Sequence, residues 1–325
     1  MNNPKFVVAV DPFAVDQVDM RNAVSTMKAT AKSLKASLNP VSVVSPDQVQ
    51  WPSDFDGSWS EQFETAARRK LKKTLKSMIG DGVADILRQP VHSAGMSAAT
   101  IAEYTAKAKA DALVVFTHNR KSPRLRFFGS FATALLSKSR TPILFINASS
   151  KPVRTVKSIL FATDFSKEDE VALEIAMDWA KASEAELILF HALTSISPEL
   201  YASVGLVGGY SNYELYVRDE EAHSQKTGKI WVDRAEKRGL KAQFVLHHTN
   251  HTPQYAVLKG AERLNCDLIV TCAKATRMET ILIGSVTRGI LERSKKPVLV
   301  IPATAAGVQA VASRAIRELK DLRPQ

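Results

Sequence analysis

Only two cysteines, Cys266 and Cys272, occur in 325 residues. That count excludes a disulfide scaffold and suits a reducing compartment. The two do not form a Cys-x-x-Cys pair. They flank one apolar run and would stand about 20 Å apart in an extended strand, at about 3.3 Å per residue. That separation rules out a bond between them. No apolar run approaches the ~20 residues of a membrane-spanning helix. The N-terminal stretch lacks a basic start followed by a long apolar segment, and Asp11, Asp16 and Asp19 arrive too early for a secretory signal. A cytoplasmic location is therefore expected. Catalytic sets are missing as well. No Ser/His/Asp combination falls at strand ends and no paired carboxylates share a loop, so turnover chemistry is not expected.

What the chain does have is an ordinary globular composition, 45% apolar and 24% charged, with length for roughly two domains. The formal net charge is +11 and it is uneven. Residues 1–150 carry 20 Lys/Arg against 12 Asp/Glu, and residues 151–325 carry 24 against 21. Such a balance points toward anionic partners without saying anything about fold.

The chain also repeats itself. Lys5–Asp11 (KFVVAVD) is answered by Lys157–Asp164 (KSILFATD). Ala110–Phe116 (ADALVVF) matches Cys266–Cys272 (CDLIVTC). Phe128–Ser130 matches Ile283–Ser285, and Thr141–Ile146 matches Lys296–Ile301. The offsets are 153 for Asp11/Asp164, 156 for Asp111/Asp267, and 155 for Gly129/Gly284 and Pro142/Pro297. Landmarks in one order at nearly constant offset mark two copies of one unit. The expected division is residues 1–150, residues 151–304, and a tail, 305–325. In the tail Val308, Val311, Ala315, Ile316, Leu319 and Leu322 keep helical spacing, which predicts an amphipathic helix over Gly307–Leu322.

Each copy alternates apolar runs with helical patterns. In the second, strands are predicted at Ala185–Ala192, Ala242–His247, Asp267–Cys272 and Pro297–Ile301. Helices are predicted at Pro253–Leu264 and Ser285–Ser294. Ser166 with Asp169 three residues on resembles a capping box opening a helix that carries Val171, Ala172, Ile175, Ala176 and Trp179. Strands that are apolar throughout imply a parallel sheet covered on both faces. The fold class is thus α/β: two tandem doubly wound units of the flavodoxin/Rossmann kind, each a five-stranded parallel sheet with helices on both faces. Ligands are expected beyond the C-terminal strand ends, where Asp11, Asp164 and the Gly–Ser pairs fall.

Taken together, the strand–Asp–helix opening, the Asp–Leu–Ile–Val run, Gly284–Ser285–Val286–Thr287 and Pro297–Ile301 resemble the universal stress protein family. The resemblance covers both halves and implies a tandem member acting in stress response. Family members that bind ATP carry Gly-x-x-Gly after the fourth strand and Gly-Ser or Gly-Thr some nine residues later. Glycines let backbone N–H groups approach phosphate oxygens at a helix N-terminus. The resemblance also implies that the aspartate after the first strand lies by the adenine. Here the pattern breaks. Counting back from Gly284 puts Thr271 and Lys274 at the glycine places, and counting forward from Asp267 puts Cys272 and Ala275 there. In the first half Phe116 and Asn119 stand there. No cofactor is therefore expected with certainty, and ordinary ATP binding is disfavoured. The candidate nucleotide site is Asp164, Lys274, Gly284, Ser285, Val286 and Thr287, with Asp11, Gly129 and Ser130 as its degenerate counterpart. The competing reading makes Gly284 and Gly129 chain turns, with Ser285 and Ser130 capping the next helices. The resemblance further implies that the two units pair within the chain through their last strands or nearby edges, with room for a homo-oligomer and an unidentified protein partner.

Other features weigh less. His247, His248 and His251 would need converging ring nitrogens to hold a metal, and no metal is expected. Arg68–Lys76 is a basic helical stretch whose Leu71, Leu75 and Met78 should pack inward, leaving a solvated charged face. A second basic segment spans Arg120–Arg126. Phe127 and Phe128 follow it, and a basic loop with aromatics could hold an anionic ligand or nucleic acid, so an anion- or nucleic-acid-binding adaptor is the weaker alternative. No groove-reading helix pair or RNA-binding signature accompanies either segment, and nucleic acid is not a favoured partner. Val204–Tyr210 is glycine-rich but lacks the Lys-Ser/Thr that closes a phosphate loop.

Overall fold

Both copies become strand–helix alternations because their apolar runs are short, β-branched and bounded by turns. A computed structural model describes residues 3–11, 20–45, 59–78, 84–89, 93–117, 130–148, 150–194, 209–273 and 284–302. The first unit contains β1 (Lys5–Ala9), α1 (Arg21–Ser33), β2 (Ser37–Val44), α2 (Trp59–Met78), β3 (Asp85–Arg88), α3 (Ala94–Lys107), β4 (Ala112–Thr117), α4 (Ser130–Lys138) and β5 (Ile143–Asn147). The second contains β6 (Ser158–Ala162), α5 (Lys167–Ser183), β7 (Glu186–Thr194), α6 (Gly209–Lys237), β8 (Ala242–Thr249), α7 (Pro253–Arg263), β9 (Leu268–Ala273), α8 (Ser285–Arg293) and β10 (Val298–Pro302). The predicted elements of the second copy stand within two residues of these bounds.

Within each unit the strands are parallel, and each unit is doubly wound about its first strand. The two last strands then pair antiparallel, Leu299 opposite Leu144. One ten-stranded sheet results, in the order β3-β2-β1-β4-β5-β10-β9-β6-β7-β8. Because the joint is antiparallel, the two units' C-terminal strand ends face opposite edges of the sheet. Alternating side chains feed two apolar layers. One lies beneath α1, α2, α5 and α6, the other beneath α3, α4, α7 and α8.

The first layer runs across the joint. Phe6 of β1 stacks on Trp179 of α5, ring centroids 5.5 Å apart and 15° from parallel. The connecting segment is tied to α1, with Val153 N–H donating to Thr26 Oγ1 at 3.0 Å. In the second layer α7 approaches β7 closely. A Cβ on Gly260 would stand 2.5 Å from the ring of Phe190, which is fully buried. Neither ring nor strand has room to move in a close-packed interior. Gly260→Ala is therefore expected to lower stability by about 1–3 kcal/mol, as overpacking does. Chemical denaturation reads this directly, and an unchanged midpoint would contradict the packing described.

The repeat landmarks are structural at the N-terminal strand ends of each unit. Asp111 accepts the Lys5 N–H at 2.8 Å, and Asp267 accepts the Lys157 N–H at 2.8 Å. Pro142 and Pro297 each offer a carbonyl to the next strand, at Leu113 and Ile269. A further matched pair escaped the sequence comparison. Ser139 and Ser294 each bond across two residues, to Thr141 and Lys296, just before those prolines. The signal was present as Ser-x-x-Pro at offset 155.

Candidate functional site

The chain must leave β6 and enter α5 within four residues, and it does so through a strained turn. Phe165 takes φ 60°, a left-handed conformation that costs a residue with a Cβ roughly 1–2 kcal/mol. Two sets of contacts offset that cost. The Phe165 N–H donates to Thr163 Oγ1 at 2.9 Å, and the Ser166 N–H donates to Asp164 Oδ1 at 3.2 Å. The Phe165 ring packs against His191 at 5.1 Å, edge-on to Trp231 at 5.1 Å, and against Phe244 at 5.7 Å.

Beneath this turn lies Asp169, only 3% exposed. One carboxylate oxygen accepts both the Thr163 hydroxyl at 2.8 Å and the Asp164 N–H at 2.9 Å. Burial pushes this carboxyl up to about 7, and the neighbouring Asp164 carboxylate acts in the same direction. The Asp164 N–H and the Thr163 hydroxyl pull the other way and do not compensate. The expected capping box is thus not formed. Ser166 is the N-cap, but its hydroxyl makes no cap hydrogen bond. The left-handed Phe165 directs the Ser166 N–H to Asp164, so Asp169 reaches past it to Thr163. His191 completes the base of the turn by donating from Nδ1 to the Thr163 carbonyl at 2.8 Å. The sequence reading treated Asp169 as a cap and missed Thr163 and His191. Its one visible signal was a lone polar residue inside the apolar run of β7.

The opposite wall is the end of β9, which pairs with β6 through Phe161 and Val270. Thr271 and Cys272 are 4% and 6% exposed and point to opposite faces. The Thr271 hydroxyl lies 3.3 Å from that of Thr287, which donates to the Cys272 carbonyl at 3.0 Å. The Cys272 thiol approaches the Glu168 carbonyl at 3.7 Å. Both residues that the two alignments put at the first glycine place are therefore buried side chains packed against flanking helices.

Gly284 is the N-cap of α8, with Ser285 as its first helical residue and no side-chain cap. Ser285 does not cap the helix, contrary to the competing sequence reading. The extended Gly284 holds the capping position, and its carbonyl accepts the first helical hydrogen bond from Arg288 at 3.0 Å. Ser130 likewise lies inside α4 as its first residue. No described atom stands within 4 Å of where a Cβ on Gly284 would project. Ser285 is exposed and Val286 half-buried. Asp164 and Asp11 both follow the first strand of their unit and are exposed. Lys274, Ala275, Gly129, Asn119, the basic segment 120–126, residues 204–208 of the glycine-rich run and the tail helix all lie outside the described residues.

The histidine group does not converge. His247 packs on Phe190 at 5.7 Å, His248 faces Glu221 at 3.6 Å, and His251 meets Tyr255 at 4.8 Å. Burial, with Arg263 and His248 nearby, holds the His247 imidazole below its ordinary range. Among the described residues no three His, Cys, Asp or Glu side chains are grouped as metal ligands would be. Both cysteines are buried, and neither is in a disulfide. Among the described residues, no helix is long and apolar enough to cross a membrane.

Comparison with known proteins gives a consistent pattern. The model of the universal stress protein family matches twice, at residues 2–147 and 155–302. A universal stress protein of Methanocaldococcus jannaschii is 27% identical over 154 residues, 45% of this chain and 94% of that protein. One from Bacillus subtilis is 24% identical over 145 residues, 44% of this chain and 97% of its own length. A solved universal stress protein from Archaeoglobus fulgidus shares the whole architecture. It shows a TM-score of 0.61 at 15% identity, with 94% of this chain and 98% of that one covered.

Proposed function

The chain belongs to the universal stress protein family as a tandem of two units, and on that footing we propose that it is a non-catalytic binding and regulatory module of the cytoplasmic stress response. In this reading it does not hold ATP in the family's usual way. The observation that carries the reading is the end of β9. Thr271 and Cys272 occupy it with buried side chains tied to Thr287 and Glu168, where phosphate binding needs bare main chain. The one hydroxyl–carboxyl pair described at this end of the second unit, Thr163 and Asp169, is buried beneath the Phe165 turn, which supports a role without turnover.

A second reading keeps an ATP-responsive switch in the second unit. It is favoured by the start of α8, where Gly284 leaves open space and no side chain caps the first-turn N–H groups. Asp164, Lys274 and Gly284–Thr287 would then hold the nucleotide, with slow hydrolysis as its furthest extension. Calorimetric titration with ATP and magnesium separates the two. The expected result is no micromolar binding. Micromolar binding that Asp164→Ala abolishes would replace the first reading with the second.

A further inference from the structure

The two helices over the outer part of the first unit carry a run of exposed basic side chains. α1 and α2 join β1 to β2 and β2 to β3 on the same face, and both feed one apolar layer through Met27, Ala31, Leu71 and Leu75. Their outward faces present Lys28 and Lys32, with Lys35 just beyond α1, and Arg69, Lys72, Lys73 and Lys76 on α2. All seven are exposed, and none makes an ion pair with another described residue. α1 contains no acidic residue, and the two in α2, Glu61 and Glu64, both precede the basic run.

The equivalent helices of the second unit differ. α5 carries five acidic residues against two basic, and Glu174 and Asp178 pair with Arg234 of α6 and Arg238 just beyond it. The basic face therefore belongs to one copy and is not a property of the duplicated fold. A solvated helix face needs neither this sign uniformity nor the same uniformity on its neighbour.

We infer that the α1–α2 face of the first unit is a docking surface for the phosphate backbone of double-stranded nucleic acid. Charge complementarity sets the class of partner, because phosphates along a duplex are the dense, regular anion array that a two-helix basic face matches. Apolar exposure among the described side chains narrows it. The large apolar side chains exposed among the described residues are Met96, Leu215, Ile230 and Tyr255, and none is on α1 or α2. Among the described side chains the face carries no aromatic platform for unstacked bases and no apolar wedge for a membrane. Contacts to phosphates alone position a duplex without reading its sequence.

Fluorescence anisotropy with a labelled 30-base-pair DNA duplex tests this on the full chain. About five phosphate contacts give a log–log salt slope near −4.5, and so a loss of about 10²–10³-fold in affinity between 50 and 200 mM salt. Lys72→Glu with Lys73→Glu, and separately Lys28→Glu with Lys32→Glu, should each weaken binding more than tenfold. Each pair should also flatten the slope by about 2. The control pair Lys226→Glu with Lys229→Glu removes the same charge from exposed sites on α6 and should stay within about threefold. Circular dichroism melts confirm that the variants are folded. Lys→Gln pairs at the same positions repeat the test without added negative charge. The inference is overturned if patch and control variants behave alike. It is equally overturned if single-stranded DNA or phosphatidylserine vesicles bind more tightly than the duplex through the same lysines.

Discussion

Replacing Trp179 by alanine is expected to destabilise the whole chain by about 3–5 kcal/mol, the range for removing a large buried aromatic. The side chain is 7% exposed and lies face to face with Phe6, itself 1% exposed, from the other unit. Its loss leaves a cavity at the seam between units, where collapse would require two separately paired sets of strands to move together. Far-UV circular dichroism during urea unfolding measures the change. The sharper statement concerns coupling. Phe6→Ala and Trp179→Ala should be non-additive by roughly 0.5–1.5 kcal/mol, the contribution of an aromatic pair beyond its buried area. Additive losses would mean that the two units are stabilised independently and that the stacked pair contributes nothing across the seam.

The second large effect is a fall in stability with rising pH, and it centres on Asp169. Its folded-state value, about 7, stands above the ordinary 3.8, mainly through burial and then through the Asp164 carboxylate. The folded chain therefore retains a proton that the unfolded chain has released. The contribution is complete below the unfolded value, near pH 4, and is lost as pH rises through about 7. Three pH units correspond to a loss on the order of 4 kcal/mol. Asp169→Asn keeps an oxygen that accepts from the Thr163 hydroxyl and the Asp164 N–H, and it has no charge to bury. Its stability should be nearly flat over the same window, and at pH 8 it should exceed the parent by a few kcal/mol. Parallel pH profiles for the two proteins would show that Asp169 is not the buried acid described. The strained Phe165 turn rests on the same oxygen, so Trp231 fluorescence should follow the transition in the parent and not in the variant.

These two residues also show what could be read without coordinates. Trp179 was recognisable as an inward position of a helix from its spacing with Ala172, Ile175 and Ala176, but nothing local said that it would meet Phe6. Asp169 was recognisable as a polar residue in the first turn of that helix. The capping-box reading failed because a left-handed Phe165 redirected the Ser166 N–H, and single-residue backbone handedness leaves no periodic trace. Ser285 was misread as a cap for a similar reason, since the cap falls on whichever residue is extended, and here that is Gly284.

The sequence alone determined that the chain is two copies of an α/β unit, where most strands and helices of the second copy fall, and that family glycines are missing. Those follow from hydrophobic period, turn residues and a constant offset, all local or counted along the chain. Only the tertiary structure decided that the expected pairing of the units runs antiparallel through the last strands β5 and β10, that Asp169 is buried under Asp164, and that lysines forty residues apart share one face of α1 and α2. Each of these depends on which surfaces meet after the chain has folded back on itself, and residue spacing along a polymer carries no record of that.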